Sequence, residues 1–217
     1  MSDYVLKYSR GEEIKYISHL DFVRAFARAV RRSGLAMTYS QGFNPHPVIS
    51  VASPMSVGMT GDGEYLRIGF DEEYSPDEII RRLNDVFPGL KIKAAAVRNN
   101  KKEYDFASIE AADYTVFAET GFKGLNTAGF FGLNEIIIPK KSKSGVRDTD
   151  IKPFLFNISS EPAEGGYIIY MRVAAGNSNL KPDTVLDAMK KYTDGFEYGY
   201  FTVHRRALLN KEGKELL

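Results

Sequence analysis

The stretch "SHLDFVRAFARAVRRSG", residues 18–34, predicts an amphipathic helix around which the first part of the fold is built. Ser18 is a favoured N-cap residue, Asp21 stands three positions later as in a capping box, and Gly34 follows the last turn. With about 100° between successive residues, the apolar side chains share one side: Phe22, Val23, Phe26, Ala29 and Val30. We expect this helix over residues 19–33, with that side in a core.

The other side of the helix carries four arginines, called the arginine stripe below: Arg24, Arg28, Arg31 and Arg32. Arginine binds phosphate through two parallel N–H donors and stacks on bases, whereas a solubilising face normally mixes lysine and glutamate. Asp21 supplies the one carboxylate on that side. The stripe therefore predicts contact with nucleic-acid phosphates, and a solvated helix face is the alternative.

The segments around this helix predict a β-α-β-β-α-β unit. In chain order they are a strand at 4–10, the helix, strands at 48–57 and 64–70, a second helix at 75–87 with Pro76 in its first turn, and a strand at 90–97. The glycine-rich "GMTGDG", residues 58–63, is interpreted as the hairpin connection between the middle strands. This order is the ferredoxin-like plan, with two helices on one face of an antiparallel sheet. We expect this domain over residues 1–98.

The second half repeats the pattern of elements. Polar residues 99–111 are interpreted as a linker, and the strand and helix signals over 112–217 indicate another β-α-β-β-α-β unit with one added strand. The predicted fold class is therefore α+β, with two tandem ferredoxin-like domains. A total of 217 residues suits two domains of roughly 100 residues each.

A basic segment in the second half, residues 140–152, is predicted to form a hairpin tip. Its candidate contacts to an RNA backbone are Lys140, Lys141, Lys143 and Arg147. A solvated turn whose lysines protect a strand edge is the alternative. Further along, the aromatic-rich "EYGYFTVHRR", 197–206, has a partial likeness to the RNA-binding signature of RRM domains, which adds Arg205 and Arg206 to the candidates. Core packing is the alternative use of its aromatic residues.

The loop "YSQGFNPHP", residues 39–47, combines stiffness with groups that suit single-stranded RNA. Pro45 and Pro47 fix their own φ angles and push the residues before them toward extended conformations. Aromatic rings can stack on bases, and amide or imidazole groups can bond to base edges or phosphates. The candidate contacts are Tyr39, Gln41, Phe43, Asn44 and His46. The alternative is that Tyr39 and Phe43 fill the core.

Composition excludes several kinds of chemistry. With no cysteine in the sequence there is no disulfide, thiolate zinc site, cysteine-held iron–sulfur cluster or cysteine nucleophile. No apolar run approaches the roughly 20 residues that span a bilayer, so we expect no membrane contact and a cytoplasmic location. His19 and His46 are candidates for metal-independent RNA cleavage, although the helix is expected to separate them. For His19, a packed structural role is the alternative.

Residues 16–66, with their "SHLD" and "YSQGFNPHP" blocks, resemble the bacterial radical SAM-linked protein family, DUF2344. Later segments at 140–156, 181–186 and 203–206 look like its downstream blocks. The resemblance implies a partner, because members are fused to or encoded beside a radical SAM enzyme, often near ribonuclease E/G and ribosomal-protein genes. It also implies that S-adenosylmethionine and an iron–sulfur cluster belong to that partner, and that this chain binds no cofactor or metal. A more distant likeness to CRISPR-repeat-processing endoribonucleases supports the tandem fold.

Three functions follow as hypotheses. The first is an RNA-binding accessory protein, for tRNA, rRNA or a ribosomal component, that presents substrate to a radical SAM modification enzyme without being catalytic itself. The second is a metal-independent endoribonuclease of the CRISPR-repeat-processing type that uses His19 or His46. The third is a protein-docking subunit of the radical SAM enzyme.

Overall fold

The computed structural model describes residues 2–100, 102–142 and 145–217. In these ranges the chain has a mixed α/β fold with antiparallel strand pairs and four α-helices. It divides into a first unit, residues 1–108 with 214–217, and a second unit, residues 109–213. Most of the segment interpreted as a linker, residues 99–108, thus lies in the first unit, and the last four residues return to it.

The first unit has a four-stranded sheet with two helices. Its elements are β1 (Ser2–Arg10), α1 (His19–Arg32), β2 (Ile49–Val51), β3 (Met59–Phe70), α2 (Pro76–Asn84) and β4 (Leu90–Val97). Strand β1 lies between β4 and β3, and β2 pairs with the other side of β3. All three of these pairings are antiparallel. The strand order is therefore β4-β1-β3-β2.

Helix α1 forms where the sequence predicts it. The Ser18 hydroxyl accepts a hydrogen bond from the Asp21 backbone N–H at 3.2 Å and donates one to the Asp21 carboxylate at 2.8 Å. The apolar side packs on one face of the sheet in a core that includes Phe22, Phe26 and Ile68. Burial of large side chains stabilises the helix on the sheet, and the arginine stripe remains on the outer side.

The interpretation of "GMTGDG" as a hairpin connection is wrong, because Met59 to Gly63 lie inside β3. The backbone of this stretch continues the pairing with β1, and Gly61 is the partner of Arg10. The chain between β2 and β3 therefore covers residues 52–58. Glycine residues are a local signal for a turn. A long neighbouring strand can nevertheless pair with a glycine-containing segment and satisfy the backbone N–H and C=O groups of that segment.

The face of the first unit's sheet that lies opposite α1 carries every second residue of β3, including Tyr65 and Arg67. Here the Arg67 guanidinium lies over the Phe106 ring, 4.1 Å from its centroid. The Tyr65 hydroxyl donates to the Leu217 carbonyl oxygen at 3.5 Å, and Lys7 forms an ion pair with Glu215. Residues 104–106 and 214–217 therefore pack on this face.

The second unit has four sheet strands and a separate hairpin. Its elements are β5 (Ile109–Glu119), α3 (Thr127–Phe131), β6 (Ile137–Ser142), β7 (Gly145–Asp150), β8 (Leu155–Ala163), β9 (Gly166–Ala174), α4 (Pro182–Tyr192) and β10 (Phe201–Asn210). The sheet order within the unit is β10-β5-β9-β8. Strands β6 and β7 pair with each other, so two strands are added where the sequence predicted one.

Candidate nucleic-acid interface

The arginine stripe is exposed along α1, but its four members are not equivalent. Arg24 forms an ion pair with Asp21 at 3.2 Å, and Arg32 donates to the Val86 carbonyl oxygen at 2.8 Å. The Ser18 hydroxyl, with a smaller contribution from Arg24, holds the pKa of Asp21 below its ordinary value. The side chains of Arg28 and Arg31 form no hydrogen bond or ion pair with the described residues. These two guanidinium groups are the ones available to a ligand.

The loop after α1 is a short hairpin with a pinned stem. The Ser40 N–H donates to the His46 carbonyl oxygen at 2.8 Å, and the His46 N–H donates to the Ser40 hydroxyl oxygen at 3.1 Å. That hydroxyl also lies 3.0 Å from Nδ1 of His46. Below these bonds, the Val48 N–H donates to the Thr38 carbonyl oxygen at 3.0 Å. The stem therefore fixes where the tip, residues 41–45, leaves the sheet.

The tip presents an unpacked aromatic ring. Phe43 is fully exposed, with a relative accessibility of 112%. Gly42 has φ +122°, a conformation that side-chain-bearing residues rarely adopt, and so allows the chain to turn before the ring. The alternative in which Phe43 fills the core is wrong, because the bonded stem directs the tip away from it. Tyr39 is 37% exposed and pairs by its backbone with Pro47. Gln41 and Asn44 are exposed.

The two candidate catalytic histidines have different surroundings. His19 is the first residue of α1 and is half-buried, and its imidazole forms no hydrogen bond with the described residues. His46 belongs to the loop stem beyond the other end of that helix, which spans 14 residues or about 21 Å. No contact described for the first unit joins the two imidazoles. A pair of histidines acting as acid and base needs both within reach of one phosphate.

The basic candidates of the second unit lie on the hairpin and on the last strand. Arg147 is exposed on β7, where its backbone pairs with Lys140 of β6. Lys143 lies outside the described residues, and only the backbones of Lys140 and Lys141 are described. Strands β6 and β7 pair antiparallel, with Ser142 opposite Gly145.

Arg205 and Arg206 differ in accessibility. Arg205 is 2% exposed, so a contact of this side chain with RNA or a partner does not fit its position. Its backbone pairs with the buried Tyr114, and its neighbours in β10 alternate between two faces. Arg206 is exposed, with its guanidinium 5.6 Å from the centroid of the Tyr170 ring. Of the two, only Arg206 remains a candidate.

Three exposed apolar residues near the start of α1 were missed by the sequence reasoning: Tyr16, Leu20 and Val57. Leu20 precedes Arg24 by four positions, so helical spacing alone places it on the side of the arginine stripe. Helical spacing could therefore have identified Leu20 as an exposed apolar residue from the sequence. No comparable signal marks Tyr16, which lies beside Gly58 because the Gly58 N–H donates to the Lys15 carbonyl oxygen at 2.8 Å.

The described part of the chain shows no metal cluster and no membrane-spanning helix. There, no three His, Cys, Asp or Glu side chains are grouped so that they could hold a metal ion. Among the helices of that part, none is both long enough and apolar enough to cross a membrane.

The fold and this interface define a mixed α/β protein with a basic helix and an exposed aromatic loop. Residues 4–182 match the family described as "Uncharacterized protein conserved in bacteria (DUF2344)", and the chain belongs to this family. No curated protein matches the chain.

Two solved structures show a distant likeness. A chain of "Crystal Structure of a Cbf5-Nop10-Gar1 Complex" aligns with 95% of this chain at 11% identity and a TM-score of 0.49. This chain covers 48% of that one, about half of its length. An unknown protein from Galdieria sulphuraria aligns with 94% of this chain and 98% of its own at 13% identity and a TM-score of 0.27. With TM-scores below 0.5, neither likeness carries an argument about fold or function.

Proposed function

We propose that this protein binds single-stranded RNA in the cytoplasm and presents it to a radical SAM modification enzyme. The observation that carries the proposal is the fully exposed Phe43 ring at the tip of a loop whose stem is pinned by Ser40 and His46. Exposed aromatic rings are the usual stacking platforms for unpaired bases, and each stacked base contributes about 1–3 kcal/mol. A pinned stem lowers the conformational entropy lost on binding.

The arginine stripe supplies the complementary electrostatic part of this proposal. Arg28 and Arg31 lie on one side of α1 with their donors uncommitted among the described residues. The end of α1 is joined to the loop stem by residues 33–38. Guanidinium groups bind phosphate in a bidentate manner, so the stripe would hold the backbone while the loop engages a base.

We infer that both units are ferredoxin-like domains. The first unit has the element order β-α-β-β-α-β and the strand order β4-β1-β3-β2. With the β6–β7 hairpin set aside, the second unit has the same order, and its sheet runs β10-β5-β9-β8. Ferredoxin-like sheets are a common platform for RNA recognition, as in the RRM.

The radical SAM enzyme enters the proposal through the family resemblance of residues 16–66. S-adenosylmethionine and the iron–sulfur cluster are assigned to that partner, since this chain has no cysteine to hold a cluster. The RNA is proposed to be tRNA, rRNA or RNA of a ribosomal component. RNA cleavage by His19 and His46 acting as an acid–base pair is not carried forward, because no described contact brings the two imidazoles together.

The test is RNA binding as a function of salt. Fluorescence anisotropy with an oligouridine of about ten nucleotides would compare wild type with Arg28→Ala/Arg31→Ala. Loss of two phosphate contacts on a single strand should lower the slope of log K against log salt by about 1.4. Arg81→Ala/Lys91→Ala is the matched control, since both side chains are exposed cations outside α1. Equal affinity and slope in wild type and the stripe variant would refute the proposal.

A second candidate function, docking of the radical SAM enzyme without RNA, is favoured by the exposed Tyr16, Leu20 and Val57. Exposed apolar side chains of this kind can mark a protein interface. Its test is co-purification of the two proteins after ribonuclease treatment, with Leu20→Ser as the variant. Docking predicts a complex that survives the nuclease and is lost with Leu20→Ser. A complex that disappears with the RNA would contradict it.

A further inference from the structure

A cavity of about 460 Å³ lies on one face of the second unit's sheet strands. Along β5 and β9 the buried residues alternate with less buried ones, so Asp113, Tyr170 and Arg172 share the less buried face. All three line the cavity, and its other wall residues also belong to the second unit. The volume lies within the range of small-molecule sites, about 300–1,000 Å³.

The polar groups of this central part are already bonded to one another. Arg172 donates through Nε and Nη2 to the Asp113 carboxylate at 2.7 and 2.8 Å, which forms a flat and electrically neutral pair. The Tyr170 hydroxyl donates to the Glu161 carboxylate at 2.7 Å. The centre of the cavity therefore presents planar groups and no uncancelled charge of its own.

Two β-bulges bring further side chains to the cavity. In β8 the pairing register with β9 shifts around Phe156, which is the extra residue of that strand. In β10 the register with β5 shifts around Arg206, which is again the extra residue. The strand order β10-β5-β9-β8 places these bulges on opposite sides of the two central strands, and both extra residues line the cavity. Bulges often occur beside functional sites, where they redirect a side chain.

Three side chains of the cavity wall are available to a ligand. Phe156 is 46% exposed, although it is a large apolar residue. The exposed Arg206 guanidinium lies 5.6 Å from the centroid of the Tyr170 ring and has no hydrogen bond or ion pair with the described residues. Asn157 is exposed, and its side-chain amide forms no hydrogen bond in the described part of the chain. The wall thus combines an aromatic face, a planar cation, and an amide that can both donate and accept.

Two other cavities lack this combination. In the cavity of about 440 Å³ beside β2 and β3, both arginines of the wall are ion-paired with aspartates. In the cavity of about 550 Å³, Lys181 is the one cation among the described residues of the wall. A lysine ammonium does not have the planar face of a guanidinium. The cavity with Phe156 and Arg206 is therefore the one that suits a flat ligand.

We propose that this cavity binds an unpaired base of an RNA strand. Phe156 stacks on the base, the Asn157 amide forms hydrogen bonds with the base edge, and Arg206 binds the adjacent phosphate. A phosphate group alone would use neither the ring nor the amide. The site contains no residue of the first unit, and it rests on the function proposed above only in the choice of RNA as the source of the base.

A strand suits this site better than a free nucleotide does. One stacked base contributes about 1–3 kcal/mol, whereas a dissociation constant of 1 mM requires about 4 kcal/mol. The hydrogen bonds of Asn157 and the contact of Arg206 with one phosphate add to this. Neighbouring nucleotides of a strand supply further phosphates, so a short oligonucleotide should bind more tightly than its monomer.

The experiment is an NMR titration of the full chain that follows the side-chain amide resonances of Asn157. The probes are hexaadenylate, AMP and ribose 5-phosphate. We expect a saturable shift with a dissociation constant of about 1 mM or below for hexaadenylate, and binding of AMP at least about tenfold weaker. Ribose 5-phosphate, which has no base, should cause no saturable shift.

Three outcomes of this titration overturn the proposal. No saturable shift with up to about 5 mM hexaadenylate would show that the cavity does not bind RNA. Equal shifts with AMP and ribose 5-phosphate would show that the phosphate, and not the base, is recognised. Equal affinity for AMP and hexaadenylate would identify a free nucleotide as the ligand.

Phe156→Leu is the main variant, because it keeps an apolar side chain at this position and removes the aromatic face. It should weaken hexaadenylate at least about fivefold, which corresponds to the lower limit of 1 kcal/mol for one stacked base. Tyr200→Leu is the matched control, since Tyr200 is 58% exposed in the same unit and does not line the cavity. It should bind like wild type. Equal affinity of the two variants for hexaadenylate overturns the proposal.

Arg206→Lys tests the planar cation without a change of net charge. A lysine cannot bind phosphate through two parallel N–H donors, so hexaadenylate should bind several-fold more weakly. Because Arg206 is exposed and makes no hydrogen bond with the described residues, this variant should keep the fold. An affinity equal to that of wild type would contradict the assigned contact.

Failure of this site is distinguishable from failure of the first unit's interface. Arg28→Ala/Arg31→Ala should keep the Asn157 shift with hexaadenylate, whereas Phe156→Leu should keep the salt slope that the arginine stripe contributes. Loss of the Asn157 shift in the stripe variant overturns a separate site in the second unit. A normal Asn157 titration together with an unchanged salt slope in the stripe variant would support this site and refute the first.

Discussion

The side chain of Ser40 and the backbone of His46 close the loop at residues 39–47: the hydroxyl oxygen accepts the His46 N–H at 3.1 Å and lies 3.0 Å from Nδ1 of the same residue. One serine therefore fixes both the backbone and the imidazole of the opposite strand. Five exposed residues follow between these two points, and Phe43 is the large apolar one. The stem thus holds in place a ring that burial does not stabilise.

The first prediction concerns Ser40→Ala. Loss of the hydroxyl removes both side-chain bonds to His46 but keeps the backbone bond from Ser40 N–H to the His46 carbonyl oxygen at 2.8 Å. The stem is exposed, so we expect a change in the free energy of unfolding below about 1 kcal/mol. Amide exchange of residues 40–46 should become faster, and RNA affinity should fall several-fold because more entropy is lost on binding. Ser40→Thr, which keeps a hydroxyl, is the control; unchanged exchange in Ser40→Ala would contradict the role of the stem.

The second prediction tests the contribution of the Phe43 ring to RNA affinity separately from that of the loop stem. Phe43→Ala removes a side chain that packs on nothing, so the melting temperature should stay the same. If the ring stacks on a base, RNA affinity should fall by a factor of about 5–150, which corresponds to the 1–3 kcal/mol of one stacked base. Tyr200→Ala removes an exposed aromatic residue of the second unit and should leave RNA affinity unchanged. An equal loss of RNA affinity in the two variants would indicate that RNA binds nonspecifically to exposed aromatic side chains.

The cap and apolar spacing of α1 were predictable because they depend on neighbours three and four residues apart. Ser18, Asp21 and Phe26 all act as the sequence indicates. The stretch 59–63 was assigned wrongly because its glycines give a local turn signal, whereas its structure depends on pairing with β1, some fifty residues away. Long-range pairing of this kind overrides local preference.

The candidate site was only partly predictable for the same reason. The arginine stripe follows from helical spacing, but which guanidinium groups are free depends on Asp21 for Arg24 and on a distant carbonyl, that of Val86, for Arg32. No local sequence pattern indicates where the Arg67 side chain lies. It packs against residues 104–106, which fold back onto the sheet.

The third prediction concerns Arg10, which is buried at the end of β1 and lies over the Phe22 ring. Its Nη2 donates to the carbonyl oxygens of Ile14, Lys15 and Ile17 at 2.7–3.0 Å, which holds the segment that leads into α1. Arg10→Met should lower the free energy of unfolding by about 2–5 kcal/mol, because the carbonyl oxygens lose a charged donor. Arg98→Met is an informative comparison, since Arg98 also donates to a backbone carbonyl, that of Glu103. Urea unfolding measures both; a loss below about 1 kcal/mol in Arg10→Met would show that water replaces the guanidinium.

The fourth prediction concerns alkaline pH. Burial, and then the negative charge of Glu215, raise the pKa of Tyr65 to about 12. Because an unfolded tyrosine ionises near 10, the folded state keeps its proton at a pH where the unfolded state loses it. The contribution of Tyr65 to stability is therefore complete below about pH 10 and is lost as pH rises from there to about 12. Over that range wild type should lose about 2–3 kcal/mol more unfolding free energy than Tyr65→Phe, which has no phenol to titrate.

Urea unfolding at several pH values measures the difference, with Tyr16→Phe as the control at an exposed ring. Parallel pH curves for wild type and Tyr65→Phe would show that water reaches the phenol, and hence that residues 214–217 do not cover that face of the sheet in solution.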